Sequence, residues 1–505
     1  MKKHASFLLL CLSTVTVLPQ YGLPDLNFDG DGTAILKIND SSSVVYAMEV
    51  QDDNKILVAG VAYNGQNMDF AMARFFPDGS PDLSFGEDGI VLTDFFENND
   101  IVTSMVLQPD GRIILGGSAN NNLTFALARC NTDGSLDNTF SNDGKVTAGF
   151  GFKDDHGPEV LLQSDGRIIL AGSDFHDGGY YCSIVRYNTD GSVDNSFAFD
   201  ENALEALING AVLQSDGKIL VCGQITASPG VDLLLARFNA DGSVDNTFSF
   251  DGKVTFDYQY FDIGVNVVEG RDGKLIVGGY FFGAYPGPEL LRYSSDGLID
   301  ETFNGSGYFV YTDENVNSHY TFAVQEQSDN KILIAGSGYR PLSGFGFEIF
   351  RLGEDGSLDT TFGDGGIVYN SVYLSSGCWI YAIKLQSDGK ILAAGHSYEP
   401  QKTYYNMTVM RFSSGLPAVL DTEIADEVPF SIYPNPFSES FTVDCPGMNG
   451  NSLLEIYTAD GRKVLSVKPA GTTETIDGTS LPDGLYLLRI VDDRGSSARQ
   501  IVRKN

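Results

Sequence analysis

The sequence predicts an all-β protein: a seven-bladed β-propeller of four-stranded antiparallel blades with interlocked ends, followed by a small Ig-like β-sandwich. Three observations predict it. A set of three anchors recurs seven times at a period of 51 to 59 residues. Each unit carries about four strand signals and none with helical periodicity. The first unit opens with the element that the last unit lacks, as a ring closed by joining its two ends requires.

The first anchor is a Q-x-D-G-K-I-L-x-A-G segment, starting at Gln51, Gln108, Gln163, Gln214, Gly270, Gln327 and Gln386. The second is an arginine ending an apolar run: Arg74, Arg129, Arg186, Arg237, Arg292, Arg351 and Arg411. The third is an Asp-x-x-Phe pair: Asp25/Phe28, Asp82/Phe85, Asp137/Phe140, Asp194/Phe197, Asp245/Phe248, Asp300/Phe303 and Asp359/Phe362. In the third unit the strand signals lie near Val146 and over 159–163, 167–173 and 181–187. Asp165-Gly166 supplies a two-strand turn. Ile168-Ile-Leu-Ala-Gly172 is apolar on both faces, as a strand sandwiched between neighbours must be. The leading Asp25/Phe28 complements Arg411, after which no Asp-x-x-Phe follows; an open solenoid would need polar caps instead. These segments resemble the delta-60 repeat family of bacterial exported proteins over about residues 22–415, a family that brings no established reaction with it.

Residues 1–21 read as a signal peptide, with Lys2 and Lys3 before the apolar stretch Ala5 to Leu18. No other stretch is long and apolar enough for a transmembrane helix. Residues 416–428 read as a linker, and 429–505 change pattern: about seven short strands suggest a small sandwich. Tyr433-Pro-Asn-Pro-Phe437, Asp460-Gly-Arg462, Leu481-Pro-Asp-Gly-Leu-Tyr486 and the basic terminal strand resemble the type A C-terminal sorting domain of the Bacteroidetes type IX secretion system. The resemblance assigns the sorting signal to Pro434, Asn435, Pro436, Gly461, Gly484 and Tyr486. It implies the secretion machinery as partner and passage through the periplasm to the cell exterior. It further implies attachment to surface lipopolysaccharide after sorting.

The formal charge of −35 disfavours nucleic acid and anionic membranes as partners. The C-terminal residues 428–505, with 8 basic and 9 acidic groups, carry almost none of it. The cysteines beyond the leader show no C-x-x-C spacing and read as small buried apolar residues. No nucleophile, Walker or zinc motif is present. No cofactor is expected, with calcium as the one alternative. Asp-Gly strings such as Asn27-Phe-Asp-Gly-Asp-Gly32 are similar to calcium loops but lack the downstream bidentate Glu.

Because the arginines and aspartates recur in every unit, they are expected to form a structural ion pair with Phe as apolar plug, not a catalytic group. Interval lengths then separate two faces. Arg to Phe is 11 residues in all six complete cases, and the Gln position to Gly is 9 in all seven. Phe to the next Gln position runs 17 to 24, and Gly to Arg 12 to 16. Counting the Asp-Gly-x-Val strand as innermost, one face is uniform and the other individual, and specificity belongs on the individual one. Its aromatics nominate Tyr180, Tyr181, Tyr260, Phe281, Phe282, Tyr285, Trp379 and Tyr404 as ligand-binding residues. The unit after Phe197 is short and is expected to have a remodelled innermost strand. The leading functional expectation is a binding protein for a polysaccharide or another protein. A glycosidase or lyase with acidic residues at the channel mouth, or a structural surface component, are the alternatives.

Overall fold

The computed structural model describes residues 21–148, 158–200, 202–227, 230–258, 261–283, 286–313, 318–340, 344–372, 377–399, 402, 404–413 and most of 431–503. Residues 1–20 of the leader and the linker therefore lie outside the described residues, whereas Tyr21 is bridged to Phe362 of the propeller. Among those described, every regular element is a β-strand.

The two-sided apolar runs become second strands. Ile168–His176 begins with six buried residues in a row, and Ile56–Tyr63 buries seven of eight. Such a strand is stable only with a sheet packed on each face, so neighbouring blades must cover both. Seven antiparallel sheets follow around the chain. Blade 1 runs outward through Ser43–Val50, Ile56–Tyr63, Met68–Phe75 and Ile90–Thr93. Blades 2, 4, 5 and 6 repeat the order from Ile101–Leu107, Leu207–Leu213, Phe261–Glu269 and Ser318–Glu326. A single parallel pair, Val231 with Phe261, links blades 4 and 5. The innermost strands touch in sequence round the ring, and Cys378–Leu385 of blade 7 packs against Ser43–Val50 of blade 1.

Blade 7 takes its outermost strand from the start of the chain: Thr33–Leu36 pairs antiparallel with Tyr404–Phe412, Thr33 opposite Met410. The N-terminal residues add Gly22 N to Ser413 O at 2.9 Å and Asp25 N to Arg411 O at 2.8 Å. The ends thus complete each other, and the N-terminal strand covers Tyr404–Phe412 to give blade 7 its fourth strand.

One strand assignment is corrected. The Asp-Gly-x-Val strand belongs to the preceding blade: Lys145–Ala148 pairs with Thr124–Cys130 of blade 2 and is its outermost strand. The short unit after Phe197 has therefore lost an outermost strand, not an innermost one. Blade 3 has three strands, Glu159–Leu162, Ile168–His176 and Gly179–Tyr187. In place of the fourth, Leu204 O accepts one bond from Cys182 N, and Leu204 and Ala206 fill the core between blades 3 and 4.

The C-terminal region forms two antiparallel sheets, one of Ser431–Tyr433, Ser440–Asp444 and Thr473–Asp477, the other of four strands centred on Leu453–Thr458 and Gly484–Asp492. Phe437, Phe441, Leu454, Ile476 and Leu488 share one core.

Candidate functional site

The seven anchors build one repeated clamp. Each arginine Nε meets its aspartate at 2.8 or 2.9 Å, from Arg74–Asp82 to Arg411–Asp25. Each guanidinium lies over the following Phe, at 4.4 Å for Arg74–Phe85 and 4.7 Å for Arg411–Phe28. Nη1 donates to a carbonyl of the next blade, Arg129 to Thr189 O at 2.6 Å and Arg186 to Ala240 O at 2.8 Å, and in Arg237 and Arg411 also to the glutamine of its own blade, Gln214 Oε1 at 3.5 Å and Gln386 Oε1 at 3.3 Å. The plug is seated by the next blade's Asp-Gly turn. A Cβ on Gly191, at φ +88°, would lie 3.0 Å from the Phe140 ring, so only glycine fits both the turn and the contact.

The basic residue of the first anchor is a third member that sequence reasoning missed. Lys55, Arg112, Arg167, Lys218, Lys274, Lys331 and Lys390 reach the same aspartate at 2.8 to 3.5 Å. The signal was present, since a basic residue follows Asp-Gly or its equivalent in every unit. At Asp82, Asp137, Asp194, Asp245, Asp300 and Asp359 hydrogen bonds from hydroxyl and amide groups and the paired cations outweigh the loss of water and hold the carboxyl below its usual range, Asp194 and Asp359 at about 2.

With the strands correctly placed, the constant pieces are the turns from first to second strand and from third to fourth. Gln51 N to Lys55 O at 2.9 Å recurs as Gln163 N to Arg167 O at 2.9 Å and Gln386 N to Lys390 O at 2.9 Å. The variable pieces, joining second to third strands and one blade to the next, share the opposite face.

An aromatic belt crosses that variable face from blade 5 to blade 1. Tyr280 and Phe282 close the second strand of blade 5, and Tyr320 meets them at 5.6 and 6.4 Å. Tyr320 lies 5.5 Å from Trp379, which stacks on Phe345 at 4.8 Å. Phe322 then bridges to Tyr381 at 5.0 Å, and Tyr381 to Tyr46 at 4.9 Å. Most of these rings are half-buried. Their position has a backbone cause: the innermost strands bulge at Tyr46, Phe322 and Tyr381, which turns those side chains out of the ladder. The corresponding bulges of blades 2, 4 and 5 carry Thr103, Asn209 and Val265, so half of the rim is aromatic.

The sequence candidates divide accordingly. Trp379 and Phe282, the latter 38% exposed, are in the belt. Phe281 is 1% exposed and packs on Tyr258, so it supports the surface without offering a face. Tyr404 is buried, its hydroxyl donating to Asp40 Oδ1 at 3.2 Å. Tyr180 and Tyr181 pack at their own hairpin tip, on Phe175 at 5.0 Å and His176 at 4.1 Å. Tyr260 and Tyr285 lie outside the described residues. Tyr46, Phe322 and Tyr381 were missed because bulge positions carry no local sequence mark, and Tyr320 and Phe345, which sit in regular register, were missed with them.

Below the belt, the channel-lining strands place Glu49 of blade 1 against Lys384 of blade 7 at 2.7 Å. Glu159, on the innermost strand of blade 3, is half-buried and within the electrostatic reach of both. Loss of water pushes its carboxyl up to about 7, against the Ser104 hydroxyl bond and Lys384, which lower it.

The Asp-Gly string near the N-terminus is occupied with structure: Asp25 serves the Arg411 clamp, and Asp31 Oδ1 accepts Thr33 N at 2.9 Å. Cys130, Cys182, Cys222, Cys378 and Cys445 are all buried. Among the described residues no helix is long and apolar enough to cross a membrane.

In the C-terminal region Pro434 follows strand Ser431–Tyr433, Gly484 opens its strand opposite Arg503, and Tyr486 is buried in the core. Asn435, Pro436 and Gly461 lie outside the described residues.

The closed ring of radial sheets defines a β-propeller protein. Repeats described as the β-propeller domain of unknown function DUF5122 match residues 51–85, 108–140, 163–197, 214–248, 270–303 and 327–362. Residues 431–504 match the secretion system C-terminal sorting domain. The chain is therefore a propeller of these repeats that the type IX system exports to the cell surface or the medium. No curated protein matches it. Solved structures with some likeness include the polysaccharide lyase Uly1, at 12% identity and TM-score 0.44, covering 73% of this chain and 90% of that one. Sqt1 of Chaetomium thermophilum follows at 12% and 0.40, covering 76% and 98%. PorZ, a surface component of the type IX system of Porphyromonas gingivalis, stands at 10% and 0.22, covering 92% and 82%. At these scores none of them bears on activity.

Proposed function

We propose that this is a secreted or surface-displayed binding protein that holds a polysaccharide on the aromatic belt of its variable face. The contiguous run from Phe282 through Tyr320 and Trp379 to Tyr46 carries the reading. Partly exposed rings in series offer flat apolar faces to sugar rings at low entropic cost. The net charge of −35 favours a neutral or cationic chain over a polyanion.

A glycan array with the mature protein, followed by calorimetry on the best ligand, tests this. Trp379→Ala and Tyr320→Ala should each lower affinity by about tenfold, equivalent to about 1.4 kcal/mol. Silence across neutral and cationic glycans, with capture of a protein partner that Trp379→Ala abolishes, would replace the polysaccharide by a protein.

A second reading is an enzyme of the glycosidase or lyase type. Glu159 favours it: a carboxyl held near neutrality beside Lys384 and Glu49 is poised to exchange a proton. Reducing-end release or unsaturated product from any bound polysaccharide, lost in Glu159→Gln, would establish it.

A further inference from the structure

We propose that the seam between blades 1 and 2 holds one calcium ion on the carboxylates of Asp69, Asp94 and Asp100. Asp69 lies in the third strand of blade 1 and is 4% exposed; Asp100 precedes the innermost strand of blade 2 and is fully buried; Asp94 is exposed just past Ile90–Thr93. One oxygen from each lies within 4.8 Å of the other two. Calcium binds oxygens at about 2.3–2.6 Å, so two of its ligands stand at most about 4.6–5.2 Å apart, and three oxygens within 4.8 Å of one another can share one ion. Calcium also accepts irregular geometry, whereas magnesium demands a near-ideal octahedron and keeps several waters.

A separate observation points to a ligand. Asp69 Oδ2 accepts Asn64 Nδ2 at 2.7 Å, but Oδ1 is buried and has no hydrogen-bond partner. A desolvated carboxylate oxygen without a partner is costly unless a cation or a proton meets it. A proton is the competing occupant, since burial and the neighbouring Asp94 push the Asp69 and Asp100 carboxyls up, but both Asp100 oxygens accept backbone amides, Phe95 N at 2.8 Å and Asn120 N at 2.9 Å, which oppose it. The cation at hand does not answer the need: Lys145 Nζ donates to the Asp94 carbonyl at 2.8 Å and lies 5.6 Å over the Phe95 ring. Oxygen-only donors select a hard ion.

The seam between blades 4 and 5 is an internal control. Asp232 stands five residues before Arg237 as Asp69 does before Arg74, and Asp262 stands three before the bulged Val265 as Asp100 does before Thr103. Tyr258 N donates to Asp262 Oδ2 at 2.8 Å, matching Phe95 N on Asp100. Yet among the described residues only the first seam brings three carboxylate oxygens within 4.8 Å. A bound ion would tie the third strand of blade 1, the rim connection 94–100 and blade 2 together on the ligand face.

The test is calorimetric titration of the chelator-stripped mature protein with CaCl2, with thermal unfolding in parallel. One site with a dissociation constant of about 0.1–1 mM is expected, in the range of extracellular calcium modules. Asp94→Asn, at an exposed position, should fold and lose that site, and Asp232→Asn should keep it. Absence of a stoichiometric site in the wild type, an Asp94→Asn variant that binds undiminished, or MgCl2 binding at least as tightly would each overturn the assignment.

Discussion

The uniform and variable faces of this propeller are built from the same seven repeats, but they use them oppositely. On the uniform face one arrangement recurs: an aspartate held by an arginine and a second basic residue, with a phenylalanine under the guanidinium and a glycine seated on that ring. On the variable face the chain keeps only strand ends in common, and blades 5, 6, 7 and 1 fill them with aromatics while blades 2 and 4 do not. The difference teaches that rigidity and specificity were separated by face. The clamps fix each blade to the next, so the opposite loops vary without loosening the ring.

The comparison breaks most visibly if a clamp is removed. Arg237→Met leaves Asp245 buried beside Lys218 alone and should lower stability by about 3–5 kcal/mol in thermal or denaturant unfolding, with little direct change in ligand affinity. Gly191→Ala forces a side chain into a left-handed turn and onto the Phe140 ring, and should cost about 1–3 kcal/mol by the same measurement. On the variable face the readout reverses: Trp379→Ala should reduce binding about tenfold while the unfolding midpoint moves little.

Acid sharpens the contrast further. The clamp carboxyls of Asp194 and Asp359 are depressed on folding, so their contribution is full above about 3.8 and is lost as pH falls towards about 2, their folded value. Glu159 is raised on folding, from 4.5 to about 7. Its charged form therefore opposes folding as pH rises through that window. Glu159→Gln should be more stable than wild type at pH 8, by about 2 kcal/mol or less, and the gap should close by pH 4. The smallest effect is expected for Lys37→Met. Its 2.8 Å pair with Glu399 is solvent-exposed, and its loss should change the unfolding free energy by less than about 1 kcal/mol.

Much of this was legible in the chain. Periodicity in Gln51–Gly60 and its copies marked the two-sided strands, and invariant spacing from Arg to Phe marked the clamp, because both depend on residues near in sequence. The offset of Asp25/Phe28 against Arg411 disclosed ring closure, since a closing element must leave its complement unpaired at the other end. Blade membership of the Asp-Gly-x-Val strand was not legible: a strand following a turn looks the same whether it joins the sheet behind or the sheet ahead, and only pairing decides. Nor was the belt, whose Tyr46, Phe322 and Tyr381 owe their direction to bulges that no local residue type announces. The convergence of Asp69, Asp94 and Asp100 is likewise a product of two blades meeting, with Asp232 and Asp262 the same letters at another seam and a different outcome. Short-range chemistry is written in the order of residues, whereas distances between segments fifty residues apart exist only once the sheets have packed.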